Sequence, residues 1–88
     1  MVKIVIGVDV MDIREYLSPE RVSTRILLQA KSLAKGNDEY AECMKHSVIL
    51  GFEEARKELG GKLPDISKQT YKITIKKFDE WIRQKNNS

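Results

Sequence analysis

The chain has 88 residues and a mass of 10.1 kDa, which is enough for one domain with a modest core. Charged residues make up 33% and hydrophobic residues 41% of the sequence, a balance that excludes a disordered or fibrous chain. No apolar run approaches the ~20 residues that a membrane span needs, and the single cysteine, Cys43, cannot form an internal disulfide. We therefore expect a single domain over residues 1–88 in the reducing cytoplasm.

The positive charge is concentrated in the second half of the chain. The formal net charge is +3, from 16 basic and 13 acidic residues. From Arg56 onward there are nine basic and only four acidic residues. A basic end on a near-neutral body is typical of a surface that binds a polyanion, and it is also what a lysine-rich, solvated surface produces.

The N-terminal segment predicts a strand. Hydrophobic residues occupy every second position over residues 2–10: Val2, Ile4, Ile6, Val8 and Val10. This period of two is typical of a strand with one apolar face. A short helix over residues 12–17 is expected next. Ser18-Pro19-Glu20 then marks a helix start, because serine caps a helix N-terminus and proline fits its first position.

Two long amphipathic helices follow. The first ends at Gly36, and the second runs from Asn37 or Asp38 to the Gly60-Gly61 pair, since glycine favours helix termination. Ile49 and Leu50 lie away from the main apolar stripe of the second helix, which predicts a central position or an oligomer interface. The short turn between the two helices predicts that they pack as an antiparallel hairpin.

The C-terminal segment predicts a second strand and a last helix. Tyr71 and Ile73 alternate with Lys72, and Thr74 can cap the helix that follows. The predicted fold class is α+β: small and mostly helical, in the order β-(α)-α-α-β-α, with a central helical hairpin and two short strands. Two strands alone are barely stable in water, so we expect them to pair beneath the helices or with a second subunit in a homodimer.

No group of residues predicts catalysis. Cys43 and His46 are two ligands, whereas a tetrahedral zinc site needs three or four. The segment Ile4–Asp9 resembles the first strand of ribonuclease-H-like nucleases and actin-like ATPases, in which an acidic residue after such a strand binds a metal or meets phosphate. Those folds need a five-stranded sheet that this chain cannot supply. We therefore expect no enzymatic activity, no cofactor and no metal site.

The segment 61–85 carries a resemblance to a DNA-binding family. Gly61-Lys62-Leu63-Pro64, then Tyr71-Lys72-Ile73-Thr74, then Phe78-Asp79-Glu80-Trp81-Ile82 resembles the wing and last helix of excisionase-type, MerR-related winged-helix DNA-binding domains. The resemblance implies that Lys62, Lys68 and Lys72 lie in a wing near phosphate. It also implies structural roles for Phe78, Trp81 and Ile82, and places Lys45, Arg56 and Lys57 towards the groove. The leading strand and the two long helices depart from that family's pattern.

A second DNA-binding interpretation is a ribbon-helix-helix dimer, in which paired N-terminal strands read the groove. Its outward residues would be Lys3, Val5, Gly7 and Asp9. Lys3 suits DNA, whereas Asp9 does not. The order of a strand followed by two helices fits this fold, although the helices here are longer than it uses.

We therefore predict a small, basic, non-enzymatic DNA-binding or regulatory protein, of the kind that phages and other mobile elements encode. The predicted nucleic-acid-binding residues are Arg56, Lys57, Lys62, Lys68, Lys72 and Lys76. The alternative is a protein–protein interaction module, an adaptor or inhibitor, which acts through an apolar helix surface around Ile49 and Leu50. The predicted partners are DNA, a second copy of the chain in a homo-oligomer, and another protein in the alternative case. No membrane is among them.

Overall fold

A computed structural model describes residues 3–6 and 9–86 of the chain. It begins with two antiparallel strands, β1 (Lys3–Ile6) and β2 (Asp9–Asp12), paired so that Lys3 lies opposite Asp12. The short helix α1 (Ile13–Tyr16) follows directly. The single strand predicted over residues 2–10 is therefore a hairpin, and Val2, Gly7 and Val8 lie outside the described residues.

Helix α2 (Pro19–Ala34) begins and ends at the predicted signals. The Ser18 hydroxyl accepts a hydrogen bond from the backbone N–H of Arg21 at 3.3 Å, and Pro19 occupies the first turn. At the other end Lys35 takes a left-handed conformation with φ of 52°, and Gly36 follows with φ of 78°. Two residues with positive φ cannot continue a right-handed helix, so α2 ends here.

Two more helices complete the chain. Asn37 caps a short 3₁₀ turn (Asp38–Tyr40) by accepting from the backbone N–H of Glu39, and helix α3 (Ala41–Glu58) follows. The chain then turns through Gly60 and Gly61, with φ of 86° and 99°. The last helix, α4, spans Asp65–Asn86.

The predicted α+β class is wrong. Every element from Ile13 to Asn86 is helical, and the second predicted strand, at Tyr71–Ile73, lies inside α4. Thr74, the predicted cap, is buried in the middle of that helix, and its hydroxyl donates to the Thr70 carbonyl at 2.6 Å. Three alternating residues are too few to distinguish a strand from one turn of a helix. The body of the protein is a small helical fold.

Helix α4 packs against both other long helices. Its closest neighbour is α2, where the contact is lined by small buried residues: Ser23, Ala30 and Ala34 from α2, and Thr70 and Thr74 from α4. Phe52 of α3 meets Tyr71 of α4 edge-to-face at 5.1 Å. Helices α2 and α3 contact each other only slightly. The predicted hairpin of α2 and α3 is therefore not the centre of the fold.

The buried core is small and lies where α4 meets the α2–α3 connection. Among the described residues, the buried hydrophobic side chains are Ala30, Ala34, Ala41, Phe78 and Trp81. Trp81 packs against Phe78 with ring centroids 5.9 Å apart. Its indole N–H donates to an Asp38 carboxylate oxygen at 2.8 Å. This bond holds the 3₁₀ turn against α4. The face of α4 opposite Phe78 and Trp81 is exposed to solvent.

Candidate nucleic-acid interface

The solvent face of α4 carries a row of four cations, which we call the α4 cation row: Lys68, Lys72, Lys76 and Arg83. Successive members are four or seven residues apart, so they share one side of the helix. All four are exposed, whereas Thr70, Thr74, Phe78 and Trp81 form the buried side. At 1.5 Å of rise per residue the row extends over about 22 Å.

Few carboxylates neutralise the charges of the α4 cation row. Among residues 14–86, whose side chains are described, no member forms an ion pair with a carboxylate. Asp79, the acidic residue in the middle of the row, accepts from the Lys45 ammonium of α3 at 2.6 Å. Asp65 and Glu80 are exposed on the same helix. The row therefore presents a net positive strip, because its central acid is balanced by a lysine from another helix.

Two further predicted cations, Lys57 and Lys62, lie at the end of the molecule where α3 turns into α4. Both are exposed, and neither is paired within the described part of the chain. Tyr71 of α4 packs on Phe52 of α3, and Asp79 binds Lys45. These contacts show that α3 and α4 run antiparallel. The end of α3 therefore lies near the start of α4, so Lys57, Lys62 and Lys68 belong to the same end of the molecule.

Arg56, the remaining predicted nucleic-acid-binding residue, is hydrogen-bonded to other residues of the protein. Its Nε donates to Glu53 Oε1 at 3.1 Å and its Nη1 donates to the Gly61 carbonyl at 2.9 Å, while Nη2 binds the same Glu53 oxygen. The hydrogen bond lowers the pKa of Glu53 and raises the pKa of Arg56. The structure thus places Arg56 in a clamp that closes the α3–α4 turn, with its charge balanced by Glu53.

The two residues of the predicted protein interface point in different directions. Ile49 is half-buried and lines a recess between α3 and α4 together with Phe52, Leu63 and Tyr71. Leu50 is 55% exposed. A separate apolar groove lies between α2 and α3, lined by Ile26, Leu33, Met44 and Val48 with Gln29, Ala30 and Ser47. The residues of this groove are not among the predicted interface residues, although Leu33 and Met44 belong to the apolar stripes of their helices.

The described residues were also compared with the requirements of a metal site and of a membrane-spanning helix. Cys43 and His46 are both exposed, and residues 14–86, whose side chains are described, contain no cluster of three or more potential metal ligands. None of the helices in that part of the chain is long and apolar enough to cross a membrane.

Comparison with protein families, curated proteins and solved structures gives no match for this chain. The winged-helix resemblance of segment 61–85 stays a prediction. The segment in which it places a wing strand is helical here, so the lysines that it assigns to a wing lie instead before or on α4. Arg83 was not among the predicted site residues. Lys76 and Arg83 both lie on the predicted last helix, and their separation of seven residues, two helical turns, is the signal that could have indicated it.

Proposed function

We propose that this chain is a small, non-enzymatic, cytoplasmic DNA-binding protein that contacts phosphates through the α4 cation row. The observation that carries the proposal is the placement of Lys68, Lys72, Lys76 and Arg83 on one exposed helix face, without a carboxylate partner in the described part of the chain. Cations arranged in this way lose little by binding phosphate, because no internal ion pair has to be broken.

The same geometry supports contacts to the DNA backbone more than to bases. Lysine is a flexible point charge that suits phosphate oxygens, whereas reading a base requires a bidentate donor or acceptor in the groove. Three of the four residues of the row are lysines. Lys57 and Lys62 extend the positive strip beyond the start of α4. We therefore expect binding with little sequence preference and a strong dependence on salt.

The test is a salt titration of binding to a short DNA duplex, with the charge reversal Lys72→Glu as the variant. Four to six phosphate contacts predict that log K falls with log salt with a slope of about −4 to −5. Lys72→Glu is expected to weaken binding to every duplex by at least about tenfold and to reduce the slope by about 1.

Lys35→Glu is the matched control, because Lys35 is exposed and lies outside the row. It makes the same change in net charge, and we expect it to cost less than half as much binding free energy as Lys72→Glu. Equal losses in the two variants would mean that only net charge matters and would contradict a binding surface on α4. No retention of DNA by the wild-type chain at low salt would end the proposal.

The second candidate function is a protein–protein interaction module, favoured by the exposed Leu50 and by the apolar groove between α2 and α3. It predicts capture of a partner protein at fixed stoichiometry, with loss of capture in Leu50→Asp and no effect of Lys72→Glu. DNA binding predicts the opposite pattern for these two variants. The two variants, Leu50→Asp and Lys72→Glu, therefore distinguish the two functions.

A further inference from the structure

Helices α2 and α3 leave the apolar groove between them open to solvent. Its volume is about 200 Å³, and its lining residues include no charged side chain. Leu33 in its wall is 65% exposed. A groove that has no charged side chain in its lining and an exposed leucine in its wall is typical of a contact surface.

Gly51 adds an independent observation on this side of α3. It lies in the helix interior, four residues after Ser47 and three after Val48, both of which line the groove. Glycine at such a position costs about 1 kcal/mol relative to alanine. Nothing in the described part of the chain requires it, because its φ is not positive and a Cβ there would have no neighbour within 4 Å. A glycine that the monomer does not need is typical of a place where a second backbone approaches closely.

The total accessible surface of the chain indicates how much area a second protein could bury. The chain exposes 6418 Å², which is about 1,100 Å² more than the ~5,300 Å² expected of a compact monomer of its mass. The molecule is also flat, with extents of 44, 39 and 18 Å. One subunit of a stable dimer contributes about 800–1,000 Å² or more to the interface. This excess belongs to the whole chain, including its N-terminal strands, and it is large enough to contain the area that one subunit buries in a dimer.

We propose that a second copy of this chain occupies the groove, so that the α2–α3 faces of two protomers pack against each other around a two-fold axis. In such an interface the same surface patch of each protomer packs against its copy, and every contact from residue i to residue j occurs twice. A charged face would therefore repel itself, whereas the uncharged lining here does not. Gly51 lets the two α3 helices approach, and Leu33 fills the groove of the other copy. The dimer interface and the α4 cation row share no residue, so this proposal stands apart from DNA binding.

The test is sedimentation equilibrium of the full chain at about 10–100 µM, together with three variants. The wild type is expected at twice the chain mass of 10.1 kDa. Leu33→Glu places a charge in the interface and is expected to raise the dissociation constant at least about 100-fold. Gly51→Gln blocks the close approach and is expected to give a monomer that is thermally more stable than the Leu33→Glu monomer, since glutamine is the better helix former and neither variant has the dimer's added stability.

Leu28→Glu is the control for Leu33→Glu. Leu28 is 59% exposed on the same helix, and five residues of separation turn it about 140° away from Leu33. It is expected to leave the dimer intact. A wild-type chain that sediments as a monomer at about 100 µM would overturn the proposal and leave the groove to a different protein. Equal dissociation of the Leu28 and Leu33 variants, or none in either, would also overturn it.

Discussion

Trp81 joins three parts of the chain. Its ring is 4% exposed and packs against Phe78, its N–H donates to Asp38 of the 3₁₀ turn, and the Lys31 ammonium of α2 lies 5.6 Å from the ring centroid. No other single side chain in the described core has contacts of these three kinds. Because the core consists of few large residues, the stability of the whole fold depends strongly on this one side chain.

We expect Trp81→Ala to lower the free energy of unfolding by about 3–5 kcal/mol. Trp81→Phe keeps most of the ring packing but removes the donor to Asp38, so about 1–2 kcal/mol is expected. The measurement is urea denaturation followed by far-ultraviolet circular dichroism, since the chain has one tryptophan and the variants lose its fluorescence. Leu28→Ala, at an exposed position, should stay within about 0.5 kcal/mol. An equally small effect of Trp81→Ala would contradict this core.

At the level of elements, local capping signals predicted the ends of α2 correctly. The short alternation of apolar and charged residues at Tyr71–Ile73 wrongly predicted a strand. Ser18-Pro19 and Gly36 mark the ends of α2 because the side-chain cap and the positive φ are properties of a few adjacent residues. The Tyr71–Ile73 segment lies in α4 because Thr70, Thr74 and Phe78, at helical spacing, pack against α2. Threonine is a common cap, and only the packing partner shows that here it serves as a small contact residue.

The candidate site was predictable in composition and not in arrangement. Counting charges from Arg56 onward located the basic half of the chain. The clamp between Arg56 and Glu53, and the Lys45–Asp79 pair, could not be inferred from a count, because each depends on side-chain geometry or on how α3 and α4 pack. The row Lys68–Lys72–Lys76–Arg83 becomes visible once α4 is known to begin at Asp65.

The turn between α3 and α4 gives a prediction that concerns the backbone alone. Gly60 has a φ of 86°, and a Cβ there would meet no atom within 4 Å. Gly60→Ala therefore introduces conformational strain without a clash, and we expect it to lower the free energy of unfolding by about 1–2 kcal/mol. Gly60→Asn should cost less, because asparagine tolerates positive φ better than alanine does. Equal values for the two variants in urea denaturation would mean that the turn changes its conformation.

For the whole molecule, the charges of α4 fall into two sets. One set ties α4 to its neighbours: Lys77 binds Glu20 of α2 at 3.0 Å, Asp79 binds Lys45 of α3 at 2.6 Å, and Lys85 binds Glu39 of the 3₁₀ turn at 3.5 Å. The other set is the α4 cation row, which faces solvent. Exposed ion pairs of the first kind contribute about 0–1 kcal/mol each. Packing around Phe78 and Trp81, and not these pairs, therefore supplies most of the stability.

A change in salt concentration tests the ion-paired charges of α4 and the α4 cation row in one experiment. Raising ionic strength from about 0.05 M to 0.5 M screens the exposed pairs and also the repulsion within the cation row, so the two effects partly cancel. We expect the free energy of unfolding to change by less than about 1 kcal/mol, while DNA affinity falls by several orders of magnitude over the same range. Urea denaturation and duplex binding in identical buffers measure both quantities. A loss of stability above about 2 kcal/mol would mean that the ion pairs hold α4 in place. The fall in DNA affinity would then reflect unfolding as well as lost phosphate contacts.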